Sequence, residues 1–177
     1  MDTTNIADQA TATTALRKVR DDLAKAIDRA DDTTGALRAA IVTARPAGIL
    51  TVDQIADAIG RDRNFVDTTW SDYGQSTRNK QTRVAIQDVD DATHAAAVKT
   101  LSDAAWDHRR AHNDVNTLRA ERDRVVAMVY ASKLLGPSAI SREVGIDRNH
   151  VLRVARKAGV APMHRTNSKN QYSAAAK

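Results

Sequence analysis

The sequence has no cysteine, which excludes a disulfide framework and any thiolate metal site. Aromatic residues supply only 3% of the chain, so cores must be small and aliphatic. Three prolines and seven glycines in 177 residues leave long stretches with nothing to interrupt a helix. No apolar run is long enough to span a bilayer, and no signal-peptide core opens the chain. A cytoplasmic protein without a membrane partner is expected. The glycine patterns of nucleophile elbows, Walker loops and dinucleotide folds are missing as well. Neither an enzyme activity nor a cofactor is therefore expected.

Positive charge is present, and it is unevenly placed. The formal net charge is +5. Residues 1–45 carry seven basic and seven acidic side chains, and residues 46–87 carry five of each. Residues 88–113 carry three basic and five acidic side chains, whereas residues 114–177 carry twelve and five. The excess lies wholly in the last third, where a concentrated positive field attracts phosphate and speeds association.

Leu16, Val19, Leu23 and Ile27 are spaced as one face of an amphipathic helix over 13–30. Asp31-Asp32-Thr33-Thr34-Gly35 then reads as an interruption, with a second helix over 34–44 and a break at Pro46 and Gly48. Thr51 is placed to cap a short helix to Ala58, and Asp62 to cap another to Tyr73. Residues 74–87 are either a linker or a β-wing around Val84 and Ile86. From Asp90 to Ser132 nothing breaks a helix, so this stretch is one long helix or two with a bend near His112-Asn113-Asp114. Gly136-Pro137 opens a short helix to Val144, and a further helix runs from Arg148 to Lys157. The fold class expected is all-α, with an N-terminal domain over 1–74, a helical linker over 75–113, a C-terminal domain over 114–160 and a basic tail over 161–177.

An internal repeat organises these helices. IADAIGRDRNFV (55–66) and ISREVGIDRNHV (140–151) agree at six of twelve positions, 85 residues apart. Leu50 and Leu135 match upstream. Each copy reads as a short helix, a glycine turn, a capping aspartate and a second helix, which is the pattern of a helix-turn-helix. The units fall at 51–73 and 137–158. Ile55 and Ile140 anchor the first helix, Val66 and Val151 pin the second, and Gly60 and Gly145 supply the positive φ of the turn. Arg and Asn then lead the helix that would face base edges, where Arg forks onto guanine and Asn pairs with adenine.

The candidate DNA contacts in the first unit are Arg61, Arg63, Asn64 and Thr68, followed by Arg78, Lys80 and Arg83. In the second they are Ser138, Arg148, Asn149, His150 and Arg153, then Arg156, Lys157 and the tail residue Arg165. Arg61 and Thr69 replace apolar residues of the second copy, and Asp67 sits where it would repel phosphate or accept from a cytosine amino group. The first unit is therefore expected to bind weakly or to select by exclusion. His108 and His112 have a zinc-compatible spacing, but Arg109 and Arg110 add charge and no third ligand is nearby; a solvent-facing pair is expected. Trp70 and Trp106 are expected to pack helices.

Unequal units on one chain imply a monomer on an asymmetric double-stranded site rather than a twofold dimer on a palindrome. Successive major grooves lie about 34 Å apart, which a helix of roughly 23 residues spans. The helix over 90–132 is expected to act as a ruler. A helix-breaking insertion near His112 should then ruin affinity in a DNA-binding assay, and unchanged affinity would contradict the ruler.

The segments ILTVDQIADAIGRDRNFVDTTW and GPSAISREVGIDRNHVLRVARKAG, separated by a helical middle, resemble the immunity repressors of temperate mycobacteriophages. That resemblance implies a transcriptional repressor that maintains lysogeny on short asymmetric operators, with no cofactor. By position it assigns Arg63, Asn64 and Thr68 to one half of the site and Arg148, Asn149, His150 and Arg153 to the other. The second segment is also similar to recombinase DNA-binding domains. An accessory protein of a recombination or excision system, and a helical interaction module without a DNA role, are the competing readings.

Overall fold

The computed structural model describes residues 7–74 and 86–163. Among them are six α-helices and no strand: α1 Gln9–Ala47, α2 Val52–Ile59, α3 Arg63–Tyr73, α4 Asp91–Ser132, α5 Pro137–Val144 and α6 Arg148–Lys157. No helix among these residues is long and apolar enough to cross a membrane.

The helix α1 does not break at Asp31–Gly35 as its sequence suggests. The hydroxyls of Thr33 and Thr34 both donate to the Ala30 carbonyl, at 3.0 and 2.7 Å, so these residues bond within the helix instead of opening a turn. The apolar phase also persists, since Ala30 and Leu37 are both 3% exposed one heptad apart. Gly35 remains as an exposed helix-interior glycine, and a Cβ there would meet nothing within 4 Å. Gly35→Ala is therefore expected to stabilise the protein by about 0.5–1 kcal/mol, read as a higher Tm. Likewise α4 is one helix, capped by the Asp90 carboxylate on the Thr93 N–H at 2.6 Å. It passes through His112–Asp114 without interruption.

The 85-residue repeat extends well beyond the matched motif. Helices α1 and α4 end at Ala47 and Ser132, α2 and α5 start at Val52 and Pro137, and α3 and α6 start at Arg63 and Arg148; each pair differs by the same interval. Left-handed backbone recurs in the same register, at Gly48 and Lys133 and again at Gly60 and Gly145. The residues past α2 and α5 also close alike: Arg61 N–H donates to Ala56 O at 3.0 Å, and Ile146 N–H to Ser141 O at 3.3 Å. Each such bond satisfies a carbonyl that the helix end leaves open.

The described chain forms two compact units, and their composition does not follow chain order. Residues 7–23 group with residues 118–163, and the described residues of Ala24–Thr117 form the other unit. In the first, Leu16 and Val19 of α1 and Val125, Val126 and Val129 of α4 enclose Ile140, Val144, Val151 and Val154. The Tyr130 hydroxyl accepts from the Met163 N–H at 3.0 Å, tying the chain beyond α6 to α4. In the second unit, Leu37 and Ile41 of α1 and Leu101 and Ala105 of α4 enclose Ile55, Ile59 and Val66. Each short helix pair therefore packs on the helix that precedes it and on the first half of the other long helix. An amphipathic pattern fixes which face of a helix is buried, not which partner covers it, so this exchange is not visible in the sequence. Ile27, read as part of the apolar stripe, is 37% exposed.

Candidate nucleic-acid interface

The two helix pairs are built alike around their turns. The Thr51 hydroxyl accepts from Gln54 N–H, and the Gln54 side chain accepts in return from Thr51 N–H, closing a capping box on α2. Pro137 opens α5, which has no side-chain cap. Asp62 and Asp147 cap α3 and α6, accepting from Phe65 and Asn149 N–H, both at 2.7 Å. Both turns are also braced by an arginine from a long helix. Arg109 of α4 donates to Ile59 O at 3.0 Å, and Arg20 of α1 donates to Glu143 O at 3.2 Å. These carbonyls lie in the last turns of α2 and α5, where the helix dipole favours a cation. Neither arginine lies in the matched twelve residues, so the repeat gave no signal for them.

Within the second pair, Ser141 donates its hydroxyl to Ile146 O at 2.6 Å, locking α5 to the turn. The buried side of α6 is Val151, Val154 and Ala155. Asn149, Arg153 and Arg156 follow one another at helical spacing on its exposed side, with Arg148 and Lys157 also exposed. Ser138 is exposed in the first turn of α5, and so is Arg142 near its end. His150 differs from its expected place on the outer face. It is half-buried, its Nδ1 accepts from Arg153 Nη2 at 2.7 Å, and its Nε2 lies 3.6 Å from Asp123 Oδ1. Arg122, itself 2.6 Å from Asp123, lies 3.4 Å from the same Nε2. His150 thus holds Arg153 in position more than it presents its own ring.

On α3 the equivalent positions are filled differently. Asn64 and Thr68 are exposed, but Thr68, Ser71 and Asp72 stand where α6 has Arg153, Arg156 and Lys157. Arg63 lies 3.6 Å from Asp53 and 3.7 Å from Asp67, and Asp67 also pairs with Arg45 at 2.7 Å. The exposed Arg63 pairs are worth little in stability, yet they offset the one cation at the head of α3. Arg61 is stacked on Phe65, with its guanidinium 5.2 Å from the ring centroid. Residues 51–74 carry two basic and five acidic side chains, whereas residues 136–159 carry five and two. The two pairs thus share a backbone design and differ in the sign of their charge.

Arg78, Lys80 and Arg83, the wing residue Val84, and the tail residue Arg165 lie outside the described residues. His108 and His112 are not a simple solvent-facing pair. Their rings meet edge to face at 4.3 Å, and the Thr34 hydroxyl lies 3.2 Å from a ring nitrogen of each. No group of three or more potential metal ligands gathers among the described residues. Trp106 is 53% exposed beneath the Arg110 guanidinium rather than packed between helices; Trp70 is half-buried.

Glu143 carries a pH dependence. The hydrogen bond from Arg17, at 2.7 Å, holds its carboxyl below the ordinary carboxylate range. A depressed folded-state pKa stabilises above the unfolded value and is lost as pH falls through the folded one. The difference in Tm between the natural chain and Glu143→Gln should therefore be largest near neutrality and shrink in acid. A difference that grows in acid would contradict this.

Comparison with protein-family models, with curated proteins and with solved structures returns no match for this chain.

Proposed function

We propose that the protein is a sequence-specific double-stranded DNA-binding transcriptional repressor whose two helix pairs are helix-turn-helix units of unequal strength. The observation that carries this reading is the face of α6. Arg148, Asn149, Arg153, Arg156 and Lys157 are exposed on a helix whose opposite side is buried, and the pair is net basic. Such a helix offers fork donors and an amide to base edges and cations to the flanking phosphates. The turn is fixed on both sides, by Arg20 at the end of α5 and by Ser141 at Ile146, so little ordering is left for binding.

The first pair is proposed as the weaker reader. Asn64 and Thr68 offer hydrogen bonds without charge, and its acidic balance opposes a duplex. Two different readers on one chain favour an asymmetric operator bound by a monomer. The likeness of the two segments to mycobacteriophage immunity repressors favours a role in lysogeny maintenance, acting in the host cytoplasm. A footprint on promoter DNA supports repression, whereas a footprint confined to attachment sites favours the recombination-accessory reading. Fluorescence anisotropy with a labelled duplex tests DNA binding itself. The affinity should fall steeply with salt as counterions are released, and absent or salt-independent binding overturns the proposal.

A further inference from the structure

Beside α3 lies an open cleft of about 660 Å³, formed wholly within Ala24–Thr117. This volume is in the range of small-molecule sites. Three guanidiniums line it: Arg38 from α1, Arg61 from the turn before α3, and Arg109 from α4. None of the three has an ion-pair partner among the described residues. Arg38 and Arg61 are held instead by stacking on Tyr73 at 4.3 Å and Phe65 at 5.2 Å, which fixes each fork while leaving its N–H groups available. Arg109 spends one nitrogen on Ile59 O. The imidazoles of His108 and His112, steadied by Thr34, line the same cleft. Asp31 and Asp72 line it too and leave the cations in excess.

We propose that this cleft binds a small phosphorylated organic ligand, with the phosphate seated among Arg38, Arg61 and Arg109 and with His108 and His112 beside it. Three guanidinium forks offer more donors than one carboxylate can accept, and a dianionic phosphate matches them better. The cleft is larger than a phosphate ion, which leaves room for an organic portion against Leu37 and Thr69. The local field agrees: burial, then His112 and the three guanidiniums, push His108 below the ordinary imidazole range, as a positive surrounding does.

One consequence rests on the DNA-binding reading. Arg61 and Thr68 are candidate DNA contacts and also line the cleft, so an occupant would compete with the duplex for them. The binding itself is tested without DNA. At low ionic strength, inorganic phosphate and adenosine 5′-monophosphate are titrated against the full chain while the imidazole proton resonances are followed. His108→Gln and His112→Gln assign the two signals. A saturable shift of both is expected at about 1 mM ligand or below, tighter for the nucleotide and absent with chloride at matched ionic strength. Arg38→Ala with Arg61→Ala should abolish it while helical circular dichroism is unchanged. Should that variant unfold, Arg38→Lys with Arg61→Lys keeps the charge, loses the forks and should weaken binding at least several-fold. No saturable shift, or an equal shift with chloride, overturns the proposal. In a separate titration with duplex DNA, a shift seen there but with neither phosphate nor the nucleotide also overturns it and assigns these arginines to the DNA backbone.

Discussion

Arg148→Ala is expected to weaken binding to the preferred duplex by about 1–3 kcal/mol, a loss of roughly five- to 150-fold, and to relax selectivity at one base position. Arg153→Ala is expected to cost as much when it reads a base. When it meets phosphate instead, it should weaken all duplexes alike and lower the salt slope by about one. The corresponding change in the first pair, Arg63→Ala, is expected to cost clearly less. Arg63 is already engaged by Asp53 and Asp67, and Thr68 rather than an arginine follows at the position of Arg153. Titration of a labelled duplex against the three variants checks the ranking. Equal losses at Arg63 and Arg148 would mean that the charge difference between the pairs does not govern their use.

Leu16→Ala is expected to destabilise its unit by about 3–5 kcal/mol, the range for a large side chain removed from a close-packed core. Leu16 is 0% exposed and packs in the core that holds Ile140 and Val151, more than a hundred residues away in sequence. Leu101, 1% exposed, plays the same part in the core around Ile55 and Val66. The effects should therefore cross over. Leu16→Ala should speed amide exchange in α5 and α6 and lower duplex affinity, whereas Leu101→Ala should first speed exchange in α2 and α3. Faster exchange in α2 and α3 on changing Leu16 would contradict the exchanged packing of the long helices.

The short helices were legible because their ends carry local chemistry. Thr51, Asp62 and Asp147 cap, Pro137 starts a helix, and Gly60 and Gly145 take the left-handed backbone that side chains resist. The continuity of α1 was not legible, because Asp-Asp-Thr-Thr-Gly carries the composition of a turn. Only the bonds of Thr33 and Thr34 to Ala30 and the unbroken burial of Ala30 and Leu37 decide for the helix. The half-burial of His150 is hidden for a related reason. Its helix position suggests an outward ring, but Asp123 and Arg122 reach it from α4, and no local pattern shows that neighbour. The exposed row Asn149, Arg153 and Arg156 follows from helical spacing once Val151 and Val154 are taken as buried. Arg20, Arg109 and the cleft beside α3 depend on contacts between distant segments, which spacing does not encode.

Sequence-specific duplex recognition led by α6 is to be tested by selecting bound sequences from random duplex DNA. Complex stoichiometry is measured on the selected sequence. A single asymmetric consensus bound by one chain is predicted, with part of it lost in Arg148→Ala and Asn149→Ala. Failure to enrich any sequence, or enrichment untouched by those two changes, would contradict the account.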